Sequence, residues 1–176
     1  MGLIEEYSSA GIRGLLEEAV DINSLQEQNG LLCRGNESEP FSGWVKRMYD
    51  TGQVRALGHF NNGEPDGIAA EWFRDGQKSS EGKCMFGKED GLWMSWHFNG
   101  QLGSTENYKW GILQGGAASW YENGQKQSEK TYKDGEPDGL WTEWGENGQK
   151  QMEGTYKDGE EVSAKYWNSK GEEVET

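Results

Sequence analysis

The chain has 176 residues and a formal net charge of -14, from 31 acidic and 17 basic side chains. Leu, Ile, Val and Phe are scarce, and low hydrophobicity with high charge excludes an ordinary aliphatic core. Nine Trp and seven Tyr supply the alternative, since one large aromatic buries roughly 150–250 Å².

No run of apolar residues is long enough for a membrane helix, which needs about 18 or more. The acidity also argues against nucleic acid, whose phosphates select a basic stripe. Membrane lipid is disfavoured by the same repulsion, although Lys109, Lys133 and Lys157 form a local basic row.

In chain order, Leu3, Tyr7, Ile12, Leu15, Leu16 and Val20 fall on one stripe of a helix over residues 3–20, with Gly11 and Gly14 weakening it. Residues 1–20 lack the basic start and apolar centre of a signal peptide. Met1-Gly2 opens like an acylation signal, but Glu6 stands where Ser or Thr is wanted. The expected compartment is therefore the cytoplasm, or outside it where a signal segment has been removed. Residues 21–29 read as a polar connection, Leu31 to Arg34 as a short strand and Gly35 to Pro40 as a loop. Cys33 and Cys84 are expected to be free thiols, because four strand spacings, about 19 Å, exceed the reach of a disulfide.

From Phe41 onward the chain repeats itself. Gly43, Gly67, Gly91, Gly115 and Gly139 recur every 24 residues, and two further glycine series keep the same spacing. Such a period marks an array in which each unit is stable against its neighbours. With the first series as position 1, position 6 is Met48, Trp72, Trp96, Trp120 and Trp144, and Trp167 continues the column in a last repeat one residue shorter. Position 7 is Tyr49, Phe73, His97, Tyr121 and Gly145, and position 18 is Phe60, Cys84, Tyr108, Tyr132 and Tyr156.

Asn99-Gly100, Asn123-Gly124 and Asn147-Gly148 predict type I′ hairpin turns at positions 9 and 10. A two-residue loop there makes paired positions sum to 19. Tyr108, Tyr132 and Tyr156 then face Gly91, Gly115 and Gly139, with each ring covering a bare glycine, and Gly154 faces Trp141. The stretch Lys133 to Asp138, with its proline, reads as a polar turn outside any strand.

The period of two places the position 6 tryptophans on one face with Trp44, Ile68, Leu92 and Leu140. Trp93, Trp141, Tyr121 and the position 18 tyrosines take the other face. Lys126 and Ser128 are expected to fill the gaps between repeats.

The pattern carried almost in full by Gly139 to Gly159 (Gly-Leu-Trp-Thr-Glu-Trp, then Asn-Gly-Gln-Lys, Glu-Gly-Thr-Tyr-Lys-Asp-Gly) resembles the MORN repeat. It is closest to the short variant abundant in bacterial chains that are often labelled YwqK-like antitoxins. With substitutions the resemblance covers about residues 41–171. It implies an antiparallel hairpin array without catalytic residues, and roles in scaffolding, lipid association or toxin neutralisation.

The expected fold is thus all-β: an elongated, single-layer, antiparallel β-hairpin array of about a dozen strands in up-down order, with a short N-terminal helix. Residues 1–28 are expected as a helical cap, 29–171 as the array and 172–176 as an acidic tail.

No site for chemistry stands out. His59 and His97 lack ligand partners at metal spacing and fit strand-surface positions. Asp134 to Gly139 opens like a calcium loop, but Gly145 occupies the place of the bidentate carboxylate. Neither a metal nor a cofactor is expected, and the chain reads as a non-enzyme. The expected role is a scaffold that binds another protein with a basic surface, or an antitoxin or immunity protein that occludes a basic toxin. The candidate contact residues are Tyr49, Phe73, His97 and Tyr121 with the edge carboxylates Glu64, Asp66, Glu136 and Asp138. The column Trp72, Trp96, Trp120, Trp144 and Trp167 is assigned to structure.

Overall fold

A computed structural model of the chain describes residues 9–35 and 39–174. The described residues fall into two compact units, divided between Asp90 and Gly91. The fold is mostly β with one short helix, and its hairpins follow the 24-residue repeat.

The first unit begins with helix α1 (Ser9–Glu18). Leu3 and Tyr7 of the expected helical stripe lie outside the described residues, and Val20 has already left the helix for strand β1 (Val20–Asp21). The expected polar connection over 21–29 is instead structured. Asp21 caps a 3-10 turn (Ile22–Ser24) by accepting from the Asn23 amide at 2.8 Å. A hairpin of β2 (Leu25–Gln28) and β3 (Leu31–Arg34) follows, so the boundary expected between 28 and 29 falls in its turn. The reason is burial: Leu25 and Ile22 are apolar enough to be drawn into a core with Phe41, Val45 and Phe60.

Strands β4 (Gly43–Met48), β5 (Val54–Asn61), β6 (Glu64–Trp72) and β7 (Lys78–Met85) form an antiparallel meander, and β8 (Lys88–Glu89) returns along β7. One departure from the expected pattern is β1, which pairs parallel to β4.

The two faces of this meander are covered differently. Ile12 and Leu15 of α1 lie over Trp44, Leu57, Ile68 and Trp72, the face called front below. Lys46 Nζ donates to Leu16 O at 2.7 Å, a cation at the carbonyl end of the helix. The β2–β3 hairpin covers the back face, where Val45 and Phe60 point.

The second unit contains β9 (Gly91–Trp96), β10 (Leu102–Lys109), β11 (Ile112–Trp120) and β12 (Lys126–Lys133). It continues with β13 (Glu136–Pro137), β14 (Gly139–Trp144), β15 (Lys150–Lys157), β16 (Glu160–Trp167) and β17 (Glu173–Val174). Within this unit neighbouring strands follow chain order in one sheet. Glu173–Val174, within the segment expected as a tail, pair with Trp167 and Tyr166.

Turn chemistry differs from expectation at both ends of the repeat. At the Asn-Gly end only the glycine has positive φ: Gly100, Gly124 and Gly148 lie at 81°, 81° and 76°, and no position 9 asparagine does. The amide of position 10 donates to the position 7 carbonyl, as in Gly124 N to Tyr121 O at 2.9 Å. This is a type I turn followed by a left-handed glycine, a three-residue loop. Asparagine is used here for its side chain, because Asn99 and Asn123 Oδ1 accept from the amides of Gln101 and Gln125 at 3.0 and 2.9 Å.

The type I′ turns sit at the opposite end. Asn62-Gly63, Asp134-Gly135 and Asp158-Gly159 have positive φ at both residues. Strands run directly into these two-residue loops, so the stretch expected as a polar turn is largely strand. Pro65 pairs with Phe60 beside a register shift, and Pro137 pairs with Tyr132. Each proline accepts through its carbonyl from the next turn, Gly87 N and Gly159 N, at 2.8 and 2.9 Å. A proline next to a bulge spares the ladder an N–H it does not need.

The expected pairs Tyr108–Gly91, Tyr132–Gly115, Tyr156–Gly139 and Trp141–Gly154 all form. The reason for glycine at position 1 is different, however. A Cβ at Gly91 or Gly115 would meet nothing within 4 Å, so no ring covers it; both residues have left-handed φ, 87° and 84°. Nearer the loop the register shifts by one, pairing Trp120 with Lys126 and Trp144 with Lys150. The extra loop residue causes this bulge on the return strand.

Candidate functional site

The bulge decides which side chains share the front face. In a regular strand residues three apart point to opposite faces. Here Lys78 and Glu81, Lys126 and Glu129, and Lys150 and Glu153 form ion pairs along one strand, the first two at 2.7 and 2.9 Å. Glu81 is 1% exposed and has its cation at hand, as a buried carboxylate requires.

These lysines also complete the tryptophan column. Lys126 Nζ lies 5.6 Å from the Trp144 ring centroid and Lys150 Nζ 5.4 Å from that of Trp167. Trp120, Lys126, Trp144, Lys150 and Trp167 therefore alternate across the second unit, with Trp144 and Trp167 each facing the cation of the preceding repeat. Lys126 fills the gap as expected. Ser128 does not, because it lies on the back face and bonds Ser119 at 2.7 Å. All five column tryptophans, including Trp72 and Trp96, are partly buried.

On the back face Trp141 sits between Tyr132 and Tyr156, with ring centroids 5.6 and 4.6 Å away. Lys130 lies over Trp141 at 4.4 Å and pairs with Glu143 at 2.8 Å. Burial, then the hydrogen bond to Glu161, raises the Tyr156 phenol above its ordinary value. Beside this group Ser119, Tyr121, Lys130, Glu143 and Gln151 line an open polar groove of about 270 Å³.

The candidate contact residues of position 7 form a set that spacing did not reveal. Tyr49 Oη donates to Trp72 O at 2.8 Å, His97 Nε2 to Trp120 O at 2.7 Å and Tyr121 Oη to Trp144 O at 2.9 Å. Each ties its turn to the next repeat and is partly buried. Phe73, also partly buried, has no hydroxyl to donate. A second rung joins Asn99 Nδ2 to Glu122 O and Asn123 Nδ2 to Glu146 O, at 2.6 and 2.8 Å. The signal was present in the sequence, since side chains one period apart meet in an array.

The edge carboxylates divide. Glu64 and Glu136 are exposed, and among the described residues neither meets a cation. Their stems flank the next turn: a Cβ at Gly159 would lie 3.5 Å from Glu136 Oε2. Asp66 accepts from Asn61 Nδ2 at 3.1 Å. Asp138 accepts from Lys157 Nζ at 2.6 Å, which holds its carboxyl below the usual range and raises the Lys157 ammonium. Arg74 does the same for Asp50 while lying 4.8 Å over Tyr49.

Both cysteines are free, Cys33 buried in β3 and Cys84 partly buried in β7. His59 Nδ1 donates to Asp66 O at 2.7 Å and meets Trp44 edge-on at 5.2 Å. Among the described residues no group of three or more His, Cys, Asp or Glu converges as a metal site, and no helix is long and apolar enough to cross a membrane.

Sequence reasoning missed two turn residues. Phe86 and Trp110 hold φ of 50° and 56° at positions that are Asn or Asp in the other type I′ turns, and both are exposed. Their misfit with that pattern was the available signal.

No curated protein matches the chain. Residues 89–109, 115–134 and 137–158 match the family model described as the MORN repeat variant. Three successive repeats are thus similar to a motif that serves generally in protein or membrane interaction.

Proposed function

We propose that this chain is a non-enzymatic binding scaffold whose partner is a protein with a basic contact surface. The observation that carries this reading is the fate of the cations. Arg74, Lys78, Lys126, Lys130, Lys150, Lys157 and Lys165 are each held in an ion pair within the chain. Glu64 and Glu136, one on the type I′ edge of each unit, keep exposed carboxylates without such a partner among the described residues. With 31 acidic against 17 basic side chains, carboxylates are in excess over the chain, and these two are exposed.

Exposed rim charges chiefly accelerate encounter and are screened beyond about 8 Å at physiological salt. Aromatics anchor the contact, and the back-face groove beside Tyr121 and Trp141 offers them. An antitoxin that occludes a basic toxin is one form this scaffold would take.

The test is kinetic. The whole chain is immobilised, a bound protein is isolated from native lysate, and its association is followed at low and high salt. Association should slow with salt while dissociation changes less, and Glu64→Gln with Glu136→Gln should mimic high salt. A partner with an acidic contact surface, or an association rate indifferent to salt, overturns the reading.

A further inference from the structure

The ladder of position 7 side chains, in which Phe73 supplies a ring without a hydroxyl, stops altogether at the last repeat. Gly145 stands where Tyr49, His97 and Tyr121 stand, so it sends nothing to the following repeat. The acceptor is nevertheless in place. Met152 pairs with Tyr166 as Ser128 pairs with Glu143, so Trp167 occupies the same register on β15 that Trp144 occupies on β12. The turn after Trp167 also repeats the geometry of the others, with Asn168 N donating to Glu172 O at 2.9 Å and Gly171 N to Asn168 O at 2.9 Å. The residue missing from the last repeat is absorbed elsewhere, at the shift between Thr155 and Tyr156.

The second rung is missing too. Asn147 Nδ2 turns back to Gln149 Oε1 at 2.9 Å, although Asn99 and Asn123 each reach the next turn. Among the described residues no side chain donates to Trp167 O or Ser169 O. Between the two turns lies an open pocket of about 270 Å³, lined by Gly145, Glu146, Asn147, Gln149, Gln151, Asn168 and Ser169. Its wall is made mostly of amides and backbone, with Glu146 as the one charged residue of the lining.

We infer that this slot is a docking site for a tyrosine side chain of a partner protein, with the hydroxyl donating to Trp167 O. The occupant is specified by the chain itself, which fills the equivalent place with Tyr121 and Tyr49 in other repeats. The amide-rich lining suits a neutral phenol, and with Glu146 in its wall it gives a carboxylate no counter-charge. The inference rests on the reading of the chain as a binding scaffold and names the anchor such a partner would carry.

The probe is p-cresol, titrated into the full-length chain and followed through amide resonances, with toluene as the control that lacks the hydroxyl. Saturable shifts are expected at Asn168, Ser169 and the side-chain amides of Gln149 and Gln151. Toluene should bind about tenfold more weakly, the worth of one hydrogen bond.

Gly145→Tyr should supply the missing rung from within and abolish the p-cresol shifts. Gly145 is outside the left-handed region, and a Cβ there would meet the ends of two side chains, Gln151 Nε2 at 2.8 Å and Asn147 Oδ1 at 3.1 Å. Equal shifts from toluene and p-cresol, or p-cresol shifts unaltered in Gly145→Tyr, overturn the inference. Neither result depends on charge steering. A salt-indifferent partner would remove the proposed function and leave this titration standing.

Discussion

Trp144→Ala is the most informative single perturbation of the array. The ring lies on the front face of the second unit, with Lys126 Nζ 5.6 Å from its centroid, and is partly buried. A fully buried Trp→Ala change costs about 3–5 kcal/mol. With part of the ring open to solvent, burial alone should account for about half of that range, and the cation adds about 0.5–1 kcal/mol. The expected loss is thus about 2–3 kcal/mol, a large share of the roughly 5–15 kcal/mol typical of a domain. Urea denaturation followed by far-ultraviolet circular dichroism measures it. The cycle with Lys126→Met should return a coupling of about 0.5–1 kcal/mol. Trp167→Ala, in the last repeat, should cost less than Trp144→Ala. Losses below about 0.5 kcal/mol for both, with no coupling to Lys126, would refute the reasoning. The column would then be a binding surface instead of a structural element.

Burial, with Glu89 and Asp66 adding to it, pushes the Cys84 thiol up to about 11 from 9.0. At pH 8 its thiolate is about 100-fold scarcer, and higher nucleophilicity offsets part, so alkylation should run about tenfold slower than in the unfolded chain; equal rates would contradict this. The Asp138–Lys157 contact should be intact at neutral pH, because it depresses one pKa and raises the other. Its contribution is fully present between the ordinary values of 3.8 and 10.5. It is lost as pH falls through the depressed Asp138 value, or rises through the raised Lys157 value. In Lys157→Met the Asp138 carboxyl should return toward its ordinary range by carbon-detected titration, and no movement would rule the contact out. Trp110→Asn should stabilise the chain by about 1 kcal/mol in the same urea assay by relieving a left-handed backbone; destabilisation would mean that the ring's contacts outweigh that strain.

The sequence alone determined the repeat, the all-β class and the pairing of tyrosines with glycines. These follow from period, because glycines 24 residues apart and alternating aromatics admit few other folds. The faces of the outgoing strands were legible too, since side chains alternate along a regular strand, but the bulge on the return strands, which parts Lys126 from Ser128, was not. The turn types were not. An Asn-Gly pair suits a type I′ loop, but it also suits a type I turn that uses the asparagine side chain. At Asn99 and Asn123 the choice went to the latter, where the amide can also reach the carbonyls of Glu122 and Glu146.

The N-terminal segment was misread over 21–29 because Ile22 and Leu25 look isolated among polar neighbours. Their worth appears only when Phe41, Val45 and Phe60 are brought against them. The role of position 7 was hidden for a related reason: Tyr121 and Trp144 are 23 residues apart in sequence and 2.9 Å apart, hydroxyl to carbonyl, in the fold. Periodicity along the chain is a local property, and a sequence displays it. Which donor meets which acceptor across neighbouring repeats depends on register and bulges, and those are settled only when the strands pack side by side.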